Sequence, residues 1–146
     1  MSTERPPGRV VLAQVTGADL DPARCLALVS DPSAGGIGLF AGAVRSDDDG
    51  RAVTRLEYEA HPSAQAEIER LSAWAAAEPG VVAVAAEHRT GSLGVGELAI
   101  VVAVSAPHRA EALRTCHALV DRIKAEVPLW KHQHHPDGTA GWVGAE

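Results

Sequence analysis

Lys124 and Lys131 stand on either side of Pro128 in the run Ile123-Lys-Ala-Glu-Val-Pro-Leu-Trp-Lys131. Proline cannot continue a helix, and the residue before it avoids helical backbone. Lys124 should therefore close a helix, and Lys131 should lie just beyond the bend. Two ammonium groups can then meet at one spot without sharing a regular element. A lysine beside other cations and partly withdrawn from water has a lowered pKa and can act as acid, base or nucleophile. Lys124 is equally ordinary as a cation favoured by a helix C-terminus. Trp130, next to Lys131, could wall such a pocket or plug the core.

More positive charge falls in Ser105-Ala-Pro-His-Arg109, which reads as a strand feeding a helix. Free backbone N–H groups at a helix start attract phosphate or carboxylate. His108 and Arg109 oppose the helix dipole there, which suits a bound anion, or else two solvated side chains on a surface turn. Arg45 ends an apolar strand. Its guanidinium could grip phosphate with two parallel bonds, or could be a solvated strand end.

The other chemical motifs lead less far. His132, His134 and His135 cluster, but alternation along a strand turns His135 away from the other two. No carboxylate or cysteine sits at a recognised ligand spacing beside them, so no metal is expected. Asp47-Asp48-Asp49-Gly50 opens like a calcium loop without its later glutamate and reads as a turn. Gly91, Gly94 and Gly96 precede no phosphate-binding helix, so no dinucleotide and no cofactor is expected.

The elements that must hold these residues can be read in order. Residues 1–8 look like a loose, flexible tail ahead of a single domain over 9–146. Arg9 to Val15 reads as a strand. Asp21 caps a short helix that starts at Pro22 and runs through Leu28. Ile37 to Arg45 and Val53 to Glu59 read as strands. Pro62 opens a helix to about Ala77, with Ile68, Leu71 and Ala75 as its apolar stripe. Val81 to Glu87 is a strand, the glycines after it a loop, and Glu97 to Ser105 a strand buried on both faces. Pro107 starts the longest helix, with Leu113, Val120 and Ile123 facing inward. A hairpin turning at His135-Pro-Asp-Gly138 ends the chain. This order is α+β, with helices packed on one mostly antiparallel sheet.

The totals exclude several classes. The chain has 146 residues and a net charge of −6, which argues against a broad basic face for nucleic acid. A 46% hydrophobic content supports a real core, built from aliphatic residues because only 3% are aromatic. Cys25 and Cys116 have no metal or redox spacing and read as buried free thiols in a reducing cytoplasm. No apolar leader and no run of about 18 apolar residues is present, so no membrane is expected and the location expected is cytoplasmic.

Taken together, the chain resembles the large, catalytic subunit of molybdopterin synthase, the MoaE family. The matching pieces are Phe40-Ala-Gly-Ala-Val-Arg45, Leu56-Glu-Tyr-Glu59, His88-Arg-Thr-Gly91 with Gly96-Glu97, Pro107-His-Arg109 and Ile123 to Lys131. They fall in order across residues 35–143. Each is weak alone; the ordered set, with its final Lys-x-x-x-Pro-x-Trp-Lys pattern, is fairly specific. The resemblance implies an α/β hammerhead with an extra β subdomain, forming a homodimer. It implies sulfur transfer to cyclic pyranopterin monophosphate, giving the molybdopterin dithiolene. The sulfur would arrive as a thiocarboxylate on the C-terminus of a small ubiquitin-like carrier subunit, two of which would bind one large-subunit dimer.

Matched by motif, Lys124 is the main catalytic lysine and Lys131 the second, also touching substrate. Arg45, His108 and Arg109 would line the substrate pocket. Phe40, Arg45 and Trp130 would form the pocket for the partner's tail. The family often has a basic residue shortly after the Trp-Val pair, whereas Trp142-Val-Gly-Ala-Glu146 ends in an acid. The segment His61-Pro-Ser-Ala64 lacks the methionine common after that proline, which reads as a packing change. Two other readings use the same residues: a non-catalytic module that grips a ubiquitin-like carrier, and a phosphate-ligand sensor at the Pro107 helix start.

Overall fold

The computed structural model describes residues 7–143. The expectations for most of the N-terminal tail and for Glu146 lie outside the described residues. The elements are β1 (Arg9–Thr16), α1 (Pro22–Val29), β2 (Gly36–Ala43), β3 (Asp47–Asp48), β4 (Arg51–Ala52), β5 (Arg55–Ala60) and α2 (Ala64–Ala76). They continue with β6 (Ala83–Arg89), β7 (Gly91–Gly94), β8 (Leu98–Ala106), α3 (Arg109–Glu126), β9 (Leu129–His134) and β10 (Ala140–Val143).

The main sheet runs β1-β6-β8-β2. Only the β1–β6 pair is parallel; β6–β8 and β8–β2 are antiparallel. A second sheet runs β10-β9-β5-β7, and β3 and β4 form a two-residue hairpin. The expected α+β class with a smaller β subdomain is what the chain adopts. Helices cover both faces of the main sheet; the difference from the single sheet expected is the separate second sheet. On one face Val84, Ala86, Val102 and Val104 pack with Ile68 and Leu71 of α2 and Leu119 and Ile123 of α3. On the other, Ala83, Ala85, Val101 and Ala103 pack with Cys25 and Val29 of α1. That double cover is why β8 and the Ala83–Ala86 half of β6 are apolar without alternation, as expected for β8.

Local chemistry explains most boundaries. Asp21 accepts the Ala23 N–H at 3.0 Å and caps α1 ahead of Pro22. α3 stops at Val127, which is extended (φ −76°, ψ 121°) because Pro128 follows it. Gly138 takes φ +85° in the β9–β10 turn, a conformation that glycine enters at little cost.

Three details correct the sequence reading. The glycine loop contains a strand: β7 pairs with β5, with Leu93 opposite Leu56 in a small buried cluster. Leu113 points outward and is 56% exposed; Ala112, Thr115 and Cys116 take the inward positions on that turn of α3. Gly8, expected in the tail, is tied in by its N–H, which donates to the Ala76 carbonyl at 3.1 Å.

Candidate active site

The bend at Pro128 does what the lysine spacing suggests. Lys124 lies in the last turn of α3, Lys131 lies on β9, and both line one cleft. Arg45, just past the end of β2, lines it too, as do Tyr58 of β5 and Gln133 of β9. The cleft holds about 120 Å³. Its floor comes from strand alternation: Tyr58 is directly opposite Lys131 in the antiparallel β5–β9 ladder, so both side chains share a face.

The end of α3 is held firmly. Glu126 accepts from Arg122 Nε at 2.6 Å and from Arg70 Nη2 at 3.0 Å, tying α3 to α2. Those two guanidiniums hold the Glu126 carboxyl down at about 2. Arg122 also lies 4.7 Å over the Trp74 ring. These contacts fix the helix turn that carries Lys124.

The cleft is not purely cationic. Asp47 and Asp48 line it, and Asp48 lies 3.8 Å from Arg45 while accepting from Gln133 at 2.7 Å. A turn assignment alone does not reveal that these carboxylates share the lysine cleft. Lys124 is exposed within the protomer, so burial by this chain does not supply the desolvation expected for it.

A second hollow adjoins the first. It is apolar, holds about 470 Å³, and runs between β2 and α3, lined by Leu39, Phe40, Leu113, Val120 and Lys124 among others. Lys124 thus belongs to both. Leu113 and Leu39 escaped the sequence reading because their exposure depends on how α3 sits against the edge strand.

Two expected groupings are not formed within the protomer. Trp130 lines neither hollow: it is opposite Glu59 on the reverse face of β9 from Lys131, and its ring meets His61 at 6.2 Å. The reason is the period-two alternation of a strand, which separates neighbours Trp130 and Lys131. His108 and Arg109 stand exposed at the start of α3, His108 as the N-cap without a side-chain cap bond. With a rise of 1.5 Å per residue, they lie roughly 22 Å along the helix from Lys124.

His88 was missed as a neighbour of the site. It is 7% exposed, its Nδ1 lies 2.8 Å from the Arg89 carbonyl, and its ring meets Tyr58. Burial pushes its pKa down to about 4, and the charges of Lys124 and Lys131 push the same way. The thiols are free and buried, as expected; burial raises Cys25 to about 12 and Cys116 to about 11. Among the described residues no helix is long and apolar enough to cross a membrane.

The family model described as MoaE protein matches residues 15–126. Molybdopterin synthase catalytic subunit 1 of Mycobacterium tuberculosis is 40% identical over 142 residues, covering 94% of this chain and 93% of that one. The crystal structure of molybdopterin synthase from Staphylococcus aureus superposes with a TM-score of 0.83 at 28% identity, covering 90% of this chain and 96% of that one. A complex of subunits 1 and 2 of the molybdopterin-converting factor from Helicobacter pylori gives 0.68 at 19% identity, covering 94% and 90%, a likeness of fold alone. With its ordered motifs, its two-sheet architecture and a family match across most of its length, this chain belongs to the MoaE family.

Proposed function

We propose that this chain is the catalytic subunit of a molybdopterin synthase, a sulfurtransferase of molybdenum cofactor biosynthesis. It would pass sulfur from the C-terminal thiocarboxylate of a small ubiquitin-like subunit to cyclic pyranopterin monophosphate. The observation that carries this reading is the sharing of Lys124 between two hollows. The apolar groove through Phe40 suits an extended peptide tail; the cleft with Arg45 and Lys131 suits an anion. A tail lying in the groove would deliver its terminal sulfur at Lys124, where the groove meets the cleft.

Each residue then has a role. Arg45 and Lys131 hold the substrate's phosphate and offset charge that grows as sulfur attacks. Lys124 assists by proton transfer or by stabilising that charge. Phe40 holds the tail, and Trp130, facing away, would serve the docking surface outside the cleft. His108 and Arg109 are too far along α3 to serve the same protomer's Lys124. Their assignment to the substrate pocket therefore requires the homodimer, with the second copy supplying them.

The test mixes this protein with thiocarboxylated small subunit and cyclic pyranopterin monophosphate and assays molybdopterin as its fluorescent oxidation product. Product that needs all three components is expected. Tight binding of the small subunit without product would overturn the enzyme reading in favour of a docking module.

A further inference from the structure

The reverse face of β5 and β9 carries a different constellation. Glu57 is directly opposite His132, and Arg55 is opposite His134. Alternation puts Glu57, His132 and His134 on the side away from Tyr58 and Lys131. The carboxylate absent from the local sequence around the histidines thus arrives from the neighbouring strand. Glu57 Oε1 lies 3.3 Å from His134 Nε2, and Oε2 lies 3.7 Å from His132 Nδ1. One ligand atom from each of the three falls within 4.8 Å of the others.

The histidines are braced. Trp142, opposite His132 on β10, stacks on its ring with centroids 4.5 Å apart and planes 12° from parallel. The His132 and His134 rings meet at 4.7 Å. His135 takes no part: it is buried, with Nδ1 2.8 Å from the Ala52 carbonyl.

We propose that Glu57, His132 and His134 form a binding site for a divalent transition metal of the zinc class. Tetrahedral zinc with nitrogen and oxygen ligands near 2.0 Å sets neighbouring ligand atoms about 3.3 Å apart. The spacing from Glu57 Oε1 to His134 Nε2 already matches that, and a small rotation of the side chains would bring in His132 Nδ1, 3.7 Å from the other carboxylate oxygen. Two imidazoles favour zinc, copper or nickel over calcium or magnesium, which prefer oxygen. Three protein ligands leave one coordination position for water or a further group.

Arg55 is the built-in competitor. Its Nη2 lies 3.1 Å from Glu57 Oε1 and 3.4 Å from His134 Nε2, so a metal entering must displace it. The bound ion would clamp β5 to β9 from behind the lysine cleft, without touching the groups proposed for sulfur transfer. This inference goes beyond the sulfur-transfer reading, and its failure leaves that reading intact.

The experiment uses the untagged full chain without small subunit or pterin. Cobalt(II) is titrated while its visible d–d absorption is followed, and zinc is then competed against a chromophoric chelator. One equivalent per chain with a tetrahedral or five-coordinate cobalt spectrum is expected. His132→Ala and, separately, the conservative Glu57→Gln should weaken zinc binding by more than about 100-fold, since even losing a ligand's supporting partner costs about 10–100-fold. Circular dichroism on the metal-free variants establishes that they fold. Arg55→Ala removes the competing cation and no ligand, and should bind several-fold tighter. Absence of a cobalt band, or equal zinc affinity in the folded Glu57→Gln and His132→Ala proteins, would overturn the site.

Discussion

The rings of Tyr58 and His88 meet in a T-shaped contact, with centroids 5.0 Å apart and planes at 73°. Tyr58 fronts the lysine cleft, and His88 sits behind it. A carbonyl only accepts, so the 2.8 Å contact to Arg89 makes Nδ1 the protonated nitrogen of a neutral ring.

His88 therefore makes stability depend on pH. Its folded pKa, about 4, lies below the ordinary 6.5. As pH falls, the unfolded chain takes up this proton first, so the contribution is complete above 6.5 and is lost as pH falls towards 4. The shift corresponds to about 3 kcal/mol at most. Urea unfolding of the wild type and His88→Gln at pH 7 and pH 4.5 checks this. The wild type should lose about 2 kcal/mol more than the variant over that interval. Equal losses would mean that His88 does not carry the effect.

Lys124→Ala should lower molybdopterin formation by about 100-fold, in the range seen when one charge-stabilising donor is removed. The side chain is exposed, so unfolding free energy should change by less than about 0.5 kcal/mol. Near-normal turnover in the three-component assay would sink the assignment. Arg45→Ala, 77% exposed in its side chain, should act through substrate binding, raising KM about tenfold with a smaller change in kcat.

The groove between β2 and α3 gives a separate prediction. Leu113→Asp places a charge where Leu113 is 56% exposed, so folding should be almost unaffected. Affinity for the small subunit should drop about tenfold or more, as when an apolar anchor in an interface is lost. Titration calorimetry with the intact small subunit measures it, and unchanged affinity would remove the groove from the docking surface.

Much of this site could be read from local chemistry. Pro128 ends α3 and folds β9 back, so the convergence of Lys124 and Lys131 follows from one residue's ring. The apolar run of β8 announced a strand covered on both sides. What escaped was set by pairing across the sheets. The partnership of Glu57 with His132 depends on the β5–β9 register, and the placing of Trp130 on the reverse face depends on where β9 begins. Helical spacing alone does not show the outward turn of Leu113, because small Ala112 is what the contact with β2 admits.

That contact between α3 and β2 sets up the last prediction. Gly38 is buried on β2, and a Cβ there would lie 2.7 Å from the Ala112 carbonyl oxygen and 3.0 Å from Cys116 Cβ. The oxygen belongs to helix backbone, so it yields only if α3 moves. Gly38→Ala should then cost about 1–3 kcal/mol, the usual range for overpacking, and lower Tm by several degrees. Because α3 also carries Lys124, turnover should fall at temperatures where the variant is fully folded. Gly141→Ala is the control: a Cβ there meets nothing within 4 Å, so both Tm and turnover should match the wild type. If Gly38→Ala melted and turned over like Gly141→Ala, α3 would have room to spare, and its close seat on β2 could not be what positions the lysine.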